Sequence, residues 1–421
     1  MKVLFVVKSM AIENLGVQYL SAVTKQAGHE AKIVELDEAF ISAKIWEPDI
    51  VGMSIMTGDQ QKFKNLASNI KGWWPCGKKS PTIIAGGPHV SFFPDDFTDK
   101  FTASPVDMII PGEAEQEWAE LMGSSTKYPD LDSIPWADRE DFQDRPIRDF
   151  IASRGCLFSC RYCSQNRWAA LFPDVDRVRM RSVDDVIKEL FSLKDAKFFY
   201  AQDSCFSPYI KWLREFSPKY RLKIGKPFHC HARPAQITDE YARLLSRAGC
   251  YSLRFALETA SPTLRGLIGR GMTTNEEALN ASNMCRKYGI KFMIQNILSL
   301  ATSTIEDDLD TLEMNIRCRP DYAWASIFSP FPGTDLGDQC VEEGWFDGDY
   351  DSISDSFFDR SVLNFSDEYK EQSYYLQKVF ALAVEAQEMP KVEELTSERF
   401  PLLVHRLMRK VGDNRLYGGI I

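Results

Sequence analysis

The sequence predicts an α/β protein in two main parts. A doubly wound domain comes first, a partial (β/α)6 barrel follows, and a small, mostly helical segment ends the chain. Three observations carry this. Short apolar runs alternate with helical patterns over roughly the first 120 residues. A polar stretch with Pro129, Pro135, Pro146 and many Asp interrupts the alternation at 124–148. From Asp149 it restarts and supplies six more strand–helix units. The 421 residues, 44% hydrophobic and 26% charged, suffice for two or three domains with large cores. The expected boundaries are 1–125, a linker at 126–148, 149–334 and 335–421.

In the first part Val3–Val7 reads as a strand, and Leu15–Ala27 as a helix ended by Gly28-His29. Strands follow at Ala31–Leu36 and Ile50–Ile55, with a helix near Gln61–Trp73. Thr82–Ala85 is closed by Gly86-Gly87-Pro88-His89, and Met108–Ile110 by Pro111-Gly112-Glu113. Apolar strands separated by helices imply a parallel, Rossmann-like sheet covered on both faces. Its ligand belongs beyond the carboxyl ends of the strands, near Ser9, Thr57, Gly87 and Gly112.

The second part offers strands at Asp149–Ser153, Lys197–Ala201, Pro227–Ala232, Tyr251–Leu257, Lys291–Leu298 and Asp321–Phe328. Helices are expected near Val183–Leu193, Asp239–Ala248, Thr274–Tyr288 and Ile305–Ile316. Acids in first turns, such as Asp184-Asp185 and Asp239-Glu240, suit the helix dipole. Polar residues recur just after strands, at a cysteine cluster, Asp203, His231–Arg233 and Glu258, which marks an active-site face. The tail is acidic and aromatic to Phe365, then helical, ending in a basic helix at Val404–Val411.

A net charge of -10 argues against a general nucleic-acid binder. No apolar run reaches the roughly 18–20 residues of a membrane span. The N-terminal apolar run meets Lys8 too soon for a secretory signal, so a cytoplasmic location is expected. Of ten cysteines, Cys76, Cys205, Cys230, Cys250, Cys285, Cys318 and Cys340 are scattered and read as buried reduced thiols.

The other three form Arg154-Gly155-Cys156-Leu157-Phe158-Ser159-Cys160-Arg161-Tyr162-Cys163, a C-x3-C-x2-C run expected by chance about 0.006 times per chain. Three thiolates on one loop can hold three irons of a [4Fe-4S] cluster and leave the fourth open. A structural zinc site is the alternative, with Cys205 or His231 arriving in space.

The run resembles the motif of the radical S-adenosylmethionine (SAM) enzymes, C-x3-C-x-aromatic-C, with Tyr162 as the aromatic. The resemblance implies that the open iron chelates SAM and that an electron cleaves its sulfonium to a 5′-deoxyadenosyl radical. Phe199–Asp203 looks like the family segment that contacts the SAM amino group, although Gln202 departs from its usual acids or Gly-Gly-Glu. Ala248-Gly249-Cys250 through Glu258-Thr259-Ala260-Ser261 resembles the ribose segment, Arg270 the basic residue after it, and Phe331-Pro332-Gly333-Thr334 the closing segment. SAM contacts are thereby implied for Tyr162, Gln202, Asp203, His231, Arg233, Glu258 and Arg270. The usual G-l-P-g-E-T loop reads Leu298–Thr304 here, so contacts on that loop do not carry over. Asp203 also reads as a helix cap and Glu258 as a buried ion-pair partner. His229 and His231, on one strand face, also read as core histidines.

The first domain resembles the cobalamin-binding domain that precedes many such barrels, through 13–16, 49–57, 85–89 and 106–113. The resemblance implies cobalamin contacts from Asn14, Ser54, Met56, Thr57, Gly58, Gly86, Gly87, His89, Gly112 and Glu113. Small residues at strand ends admit a bulky corrin or its nucleotide tail, though Gly86-Gly87 also reads as a tight turn. The loop after the first strand lacks the D-x-H-x-x-G histidine, which implies base-off cobalamin without a histidine on cobalt. His89 is placed toward the nucleotide tail.

The implied function is a cobalamin-dependent C-methyltransferase. A deoxyadenosyl radical removes hydrogen from an unactivated carbon, and the substrate radical takes the methyl of methylcobalamin. A reductant such as a ferredoxin or flavodoxin is implied. The alternatives are a non-methylating rearrangement or cyclisation, a non-catalytic cobalamin or iron–sulfur sensor, and a methylthiotransferase. The last would need a second cysteine trio, and Cys76 stands alone in the first domain. The compact size is similar to that of enzymes methylating a protein or peptide residue, such as the methanogen glutamine C-methyltransferase acting on methyl-coenzyme M reductase. The C-terminal segment reads as a lid or recognition element. The basic helix with His405, Arg406, Arg409, Lys410 and Arg415 reads as an acidic-peptide site or as a solvated amphipathic face.

Overall fold

The computed structural model describes all residues except 75–78, 99–103, 355 and 418–421, with the side chains of 98, 351 and 414–417 also left out. Cys76 and the Arg415 side chain therefore lie outside the described residues. The chain divides into two compact units, 1–152 with 171–199, and 153–170 with 200–421.

The strands in chain order are β1 (Lys2–Val7), β2 (Glu30–Glu35), β3 (Ile50–Ser54), β4 (Thr82–Gly86), β5 (Met108–Ile110), β6 (Ile147–Phe150), β7 (Ser153–Gly155), β8 (Val178–Met180), β9 (Phe198–Ala201), β10 (Phe228–His231), β11 (Cys250–Glu258), β12 (Lys291–Leu298) and β13 (Tyr322–Ile327).

In the first unit the sheet runs β2-β1-β3-β4-β5, all parallel, with Val3 opposite Ile50 and Ile50 opposite Thr82. Strand alternation sorts its side chains to two faces. Leu4, Val6, Val51, Met53, Ile83 and Ala85 pack with Phe63, Leu66 and Ile70. Val3, Phe5, Val7, Ile50, Ile84 and Ile110 pack with Val17, Val23 and Trp118. Both faces are covered, so the inner strands β1, β3 and β4 are largely apolar, as the sequence implied, while the edge strand β2 carries Glu30, Lys32 and Glu35. The order changes direction between β1 and β3, which makes their carboxyl ends the switch point.

The expected linker is tightly held. Arg139 and Arg148 both pair with the Glu13 carboxylate, at 2.5 and 2.9 Å. Arg139 and Arg181 both pair with Glu189, at 3.0 and 2.5 Å. Glu13 and Glu189 are buried, and the pairs satisfy one another away from water. The sequence shows the charges but not that they meet.

The second sheet has the order β13-β12-β11-β10-β9-β6 and therefore two free edges. It is an open (β/α)6 arrangement. The pairs from β10 to β13 are parallel. The strand expected at Asp149–Ser153 is divided into β6 and β7. Helices not foreseen cover Leu36–Trp46, Ser164–Leu171 and Ile210–Lys223, while Asp367–Ala386 is the first helix of the expected helical tail. Ile210–Lys223 hid behind its internal Pro218. Helices Asp367–Ala386 and Phe400–Tyr417 pack against Leu298, Ala323, Ala325 and Ile327. They cover one face of β12–β13. The opposite face, with Gln295 and Trp324, stays half-buried.

Candidate active site

The cysteine loop follows β7. Cys156, Cys160 and Cys163 are half-buried and form no disulfide. Backbone bonds fix the loop: Arg161 N donates to Ile268 O at 3.0 Å, Leu336 N to Arg161 O at 3.0 Å, and Cys163 N to Cys160 O at 3.1 Å. The Arg161 guanidinium donates to Leu267 O at 3.2 Å. Gly269, at φ +73°, comes so near that a Cβ would stand 2.8 Å from Ser159 O. Gly269 is a site residue that the sequence reading missed, although it adjoins Arg270.

Burial pushes the Cys160 thiol up, and the Cys163 thiol up to about 11. Binding iron as thiolates therefore displaces protons. Among the described residues, no three His, Cys, Asp or Glu side chains converge on one metal ion. Zinc requires such convergence at about 2.0–2.3 Å. A four-iron cluster gives each thiolate its own iron, so three thiols spread along a pinned loop fit it better.

Beside the loop, Tyr162 Oη and Arg270 Nη1 both donate to Glu258 Oε1, the latter at 2.6 Å. Arg270 Nη2 donates to Ala256 O at 2.7 Å. Glu258 and Arg270 are buried. Burial and the Glu258 charge push the Tyr162 phenol well above its ordinary value, so it stays a donor. Glu258 ends β11 at φ +66°, in the left-handed region, a strain of about 1–3 kcal/mol that its partners must hold. Three expected site residues thus form one buried group, and the ion-pair reading of Glu258 describes part of its role.

Arg233 lies with Cζ 3.8 Å from the Phe158 ring centroid, Nη1 4.0 Å from Cys160 Sγ and Nη2 3.2 Å from Thr273 Oγ1. A cation therefore stands beside the thiols. Asp203 is buried and accepts from Ser153 Oγ at 2.5 Å. Gln202 is half-buried at the end of β9. His231 Nε2 meets Tyr200 Oη at 2.9 Å, and His229 Nδ1 meets Ser252 Oγ at 2.8 Å. Burial, with Arg254 second, lowers His231 to about 2 and His229 to about 4, so both rings are neutral.

The Leu298–Thr304 loop is held in its own way. Ser299 and Thr302 have φ of +54° and +68°. Ser299 N donates to both Asp308 oxygens at 3.3 Å, and Tyr369 Oη to Asp308 Oδ2 at 2.8 Å. Burial pushes the Asp308 carboxyl up to about 7.

In the first unit, Ser54, Thr57, Gly86, Gly87 and Gly112 are half-buried at the carboxyl ends of the strands, while Met56 and Ile12 are 52% and 68% exposed. Two exposed apolar side chains at a switch point suit a large ligand with an apolar face. Gly58, at φ +98°, faces open space. Gly87 and Gly112 have reasons within the protein: a Cβ would stand 2.7 Å from Ile55 N in one and 2.9 Å from the Phe172 ring in the other. Asn14 caps the helix Leu15–Gln26, accepting from Val17 N at 3.4 Å. Glu113 pairs with Arg179. His89 is 3% exposed, with Nδ1 3.2 Å from Thr57 Oγ1 and Nε2 3.0 Å from Asp96. Burial outweighs Asp96 and lowers its pKa.

Comparison with known proteins adds to this geometry. Residues 1–122 match the B12 binding domain and residues 150–314 the radical SAM superfamily. An uncharacterized methyltransferase of Pyrococcus horikoshii is 24% identical over 383 residues, spanning 78% of each chain. The cytidylyl-2-hydroxyethylphosphonate methyltransferase of Streptomyces wedmorensis is 20% identical, over 83% of this chain and 82% of its own. The anaerobic magnesium-protoporphyrin IX monomethyl ester cyclase of Rubrivivax gelatinosus is 25% identical, over 76% and 65%. Among solved structures, the radical SAM methyltransferase TsrM of Kitasatospora setae, with tryptophan and a SAM analogue bound, superposes with a TM-score of 0.67 at 17% identity, over 81% of this chain and 76% of that one.

Proposed function

The chain belongs to the cobalamin-dependent radical SAM methyltransferase family, and we propose that it transfers a methyl group from cobalamin to an unactivated carbon from which a SAM-derived radical has removed hydrogen. The single observation that carries this is the pairing, in one chain, of the pinned Cys156–Cys163 loop with an open switch-point rim bearing Met56, Thr57 and Gly58. When bound, the [4Fe-4S] cluster supplies the electron that cleaves SAM, and cobalamin supplies the methyl group.

The chain's own residues have the following roles. Cys156, Cys160 and Cys163 hold three irons. Arg233, beside Cys160, offsets their negative charge. Tyr162, Glu258 and Arg270 form the wall nearest the thiols, and the Glu258 carboxylate is fixed there to bond the SAM ribose. Asp203, oriented by Ser153, and Gln202 face the SAM amino group. His231 lines the same side as a neutral ring. In the first unit Ser54, Met56, Thr57, Gly58, Gly86 and Gly87 hold the corrin and its tail, with Gly112 and Glu113 at the rim. Asn14 and His89 act there through the loops they fix. The engagement of both His89 nitrogens by the protein supports a base-off cobalamin without histidine on cobalt.

A protein or peptide residue is proposed as the substrate, a glutamine such as that of methyl-coenzyme M reductase being one instance, with a ferredoxin or flavodoxin as reductant. Among the described residues no helix is long and apolar enough to cross a membrane. The cyclase relative keeps a non-methylating ring closure as a second reading.

The test is the EPR spectrum of anaerobically reconstituted protein with iron and cobalt quantified, followed by turnover with methyl-labelled SAM. One reducible four-iron cluster beside a base-off cob(II)alamin signal, then label on carbon, is the expected result. A cluster with no cobalamin bound would rule out transfer through cobalt. Labelled SAM consumed without label in product would favour the cyclase-like reading.

A further inference from the structure

One cationic side chain in the second unit has no role in the chemistry above. Arg254 lies in the middle of β11, four residues before Glu258. At about 3.3 Å per residue, its Cα is roughly 13 Å down the strand from the Glu258 Cα. Alternation places it on the half-buried face of the sheet with Tyr200, His231, Gln295 and Trp324, opposite the face packed against helices. Its contacts are few. Nη2 stands 3.4 Å from His231 Nδ1, and Cζ 5.9 Å from the Tyr200 ring centroid. Nε is buried and has no hydrogen-bond partner. Among the described residues no carboxylate comes within ion-pair distance.

Arg265 and Arg270, whose Nε atoms likewise lack a partner, have the rest of their guanidinium groups engaged by the protein, and Arg233 stands beside the Cys160 thiol. Arg270 pairs with Glu258, and Arg265 donates to Thr259 O, Ala260 O and Asn275 Oδ1. An interior cation is costly unless an anion meets it. Here the protein provides none. Two neutral imidazoles and a phenol surround Arg254 instead. Donation from Arg254 to His231 Nδ1 leaves the His231 proton on Nε2, directed at Tyr200 Oη, so the ring serves as a fixed spacer and not as a counter-ion.

We propose that Arg254, braced by His231 and Tyr200, binds an anionic group of the substrate, a carboxylate or a phosphate, on the sheet face below the SAM site. This rests on the reading that the second unit holds SAM beside Glu258 and substrate deeper along the same face. It adds a substrate class: a molecule or residue bearing an acidic group at a distance from the carbon that is modified. The SAM carboxylate is the rival source of the same chemistry, and distance along β11 favours the substrate.

The experiment uses full-length, cluster-reconstituted wild type and the variants R254Q and R254K. Glutarate and inorganic phosphate are the anionic probes, with glutaramide as the neutral control, and binding is measured by calorimetry with SAM present. SAM affinity is read from the perturbation of the reduced-cluster EPR signal, and SAM cleavage is followed separately. Circular dichroism confirms folding. We expect wild type to bind glutarate or phosphate and not glutaramide, R254Q to bind them roughly 30-fold or more weakly, R254K to recover part of the loss, and SAM affinity to stay within twofold in all three.

Loss of SAM affinity in R254Q with anion binding intact would overturn the proposal and assign Arg254 to the SAM carboxylate. Absence of anion binding in wild type, or equal binding in R254Q, would also overturn it. Failure of the reconstituted wild type to cleave SAM would instead count against the enzymatic reading, while the anion-binding result would still decide for or against Arg254.

Discussion

Replacing Gly87 by alanine should destabilise the first unit whether or not a cofactor is bound. Gly87 has φ +94° and ψ 179°, a region essentially reserved for glycine that costs other residues about 1–3 kcal/mol. Its Cβ would also stand 2.7 Å from Ile55 N and 2.9 Å from Ile55 O. Those atoms cannot easily move away. Ile55 N donates to Gly86 O at 2.9 Å, and His89 N donates to Ile55 O at 3.0 Å. Weakening either bond adds about 1 kcal/mol. The total is roughly 3–5 kcal/mol, which for a unit of this size lowers Tm by about 6–20 °C. The assay is a circular dichroism melt of apo protein. Apo G87A melting within about 2 °C of wild type would refute the argument. G86A is the paired control. Its Cβ meets only Ile110 O, at 3.2 Å, so the fold should survive. If Gly86 lies against the cobalamin tail, the Kd for cobalamin should rise roughly tenfold or more. An unchanged Kd would remove Gly86 from the site.

Three further outcomes follow from the same geometry. Replacing Cys156, Cys160 and Cys163 together by alanine should take iron from about four per chain to none and abolish SAM cleavage, with cobalamin still bound; loss of cobalamin alongside iron would contradict two separate sites. H89A should leave the axial signature of the cob(II)alamin EPR spectrum unchanged, and altered nitrogen splitting would show that His89 reaches cobalt. Asp308, raised in the folded chain to about 7, keeps its proton where the unfolded chain has lost it. Stability should therefore be greatest below about pH 4 for this group and fall, by up to about 4 kcal/mol, as pH rises to about 7. Urea unfolding between pH 5 and 8 should show this slope in wild type and a flatter one in D308N; parallel slopes would refute it.

Much of the architecture was legible because it depends on local pattern. Val3–Val7, Ile50–Ser54 and Thr82–Gly86 are continuous apolar runs, and a strand covered on both faces must be so. The helix Asp239–Ala248 showed its first-turn acids, Asp239 and Glu240, in the sequence. Ile210–Lys223 was missed because the proline inside it, Pro218, imitates a break. The long helix Asp367–Ala386 was only foreseen as a helical tail, because its place against β12 and β13 depends on partners distant in sequence.

The sequence by itself determined the chemistry on offer: three cysteines at fixed spacing, an aromatic between the last two, and small residues at strand ends. Spacing is a local property, and one loop suffices to express it. The tertiary structure alone decided which charges meet. Glu258 is drawn to Arg270 and Tyr162, Glu13 to Arg139 and Arg148, and His89 to Thr57 and Asp96. Among the described residues it also left Arg254 without a carboxylate. Such pairings span from 7 to 135 positions. Burial makes each worth forming, and burial is a property of the folded chain that no spacing of residues records.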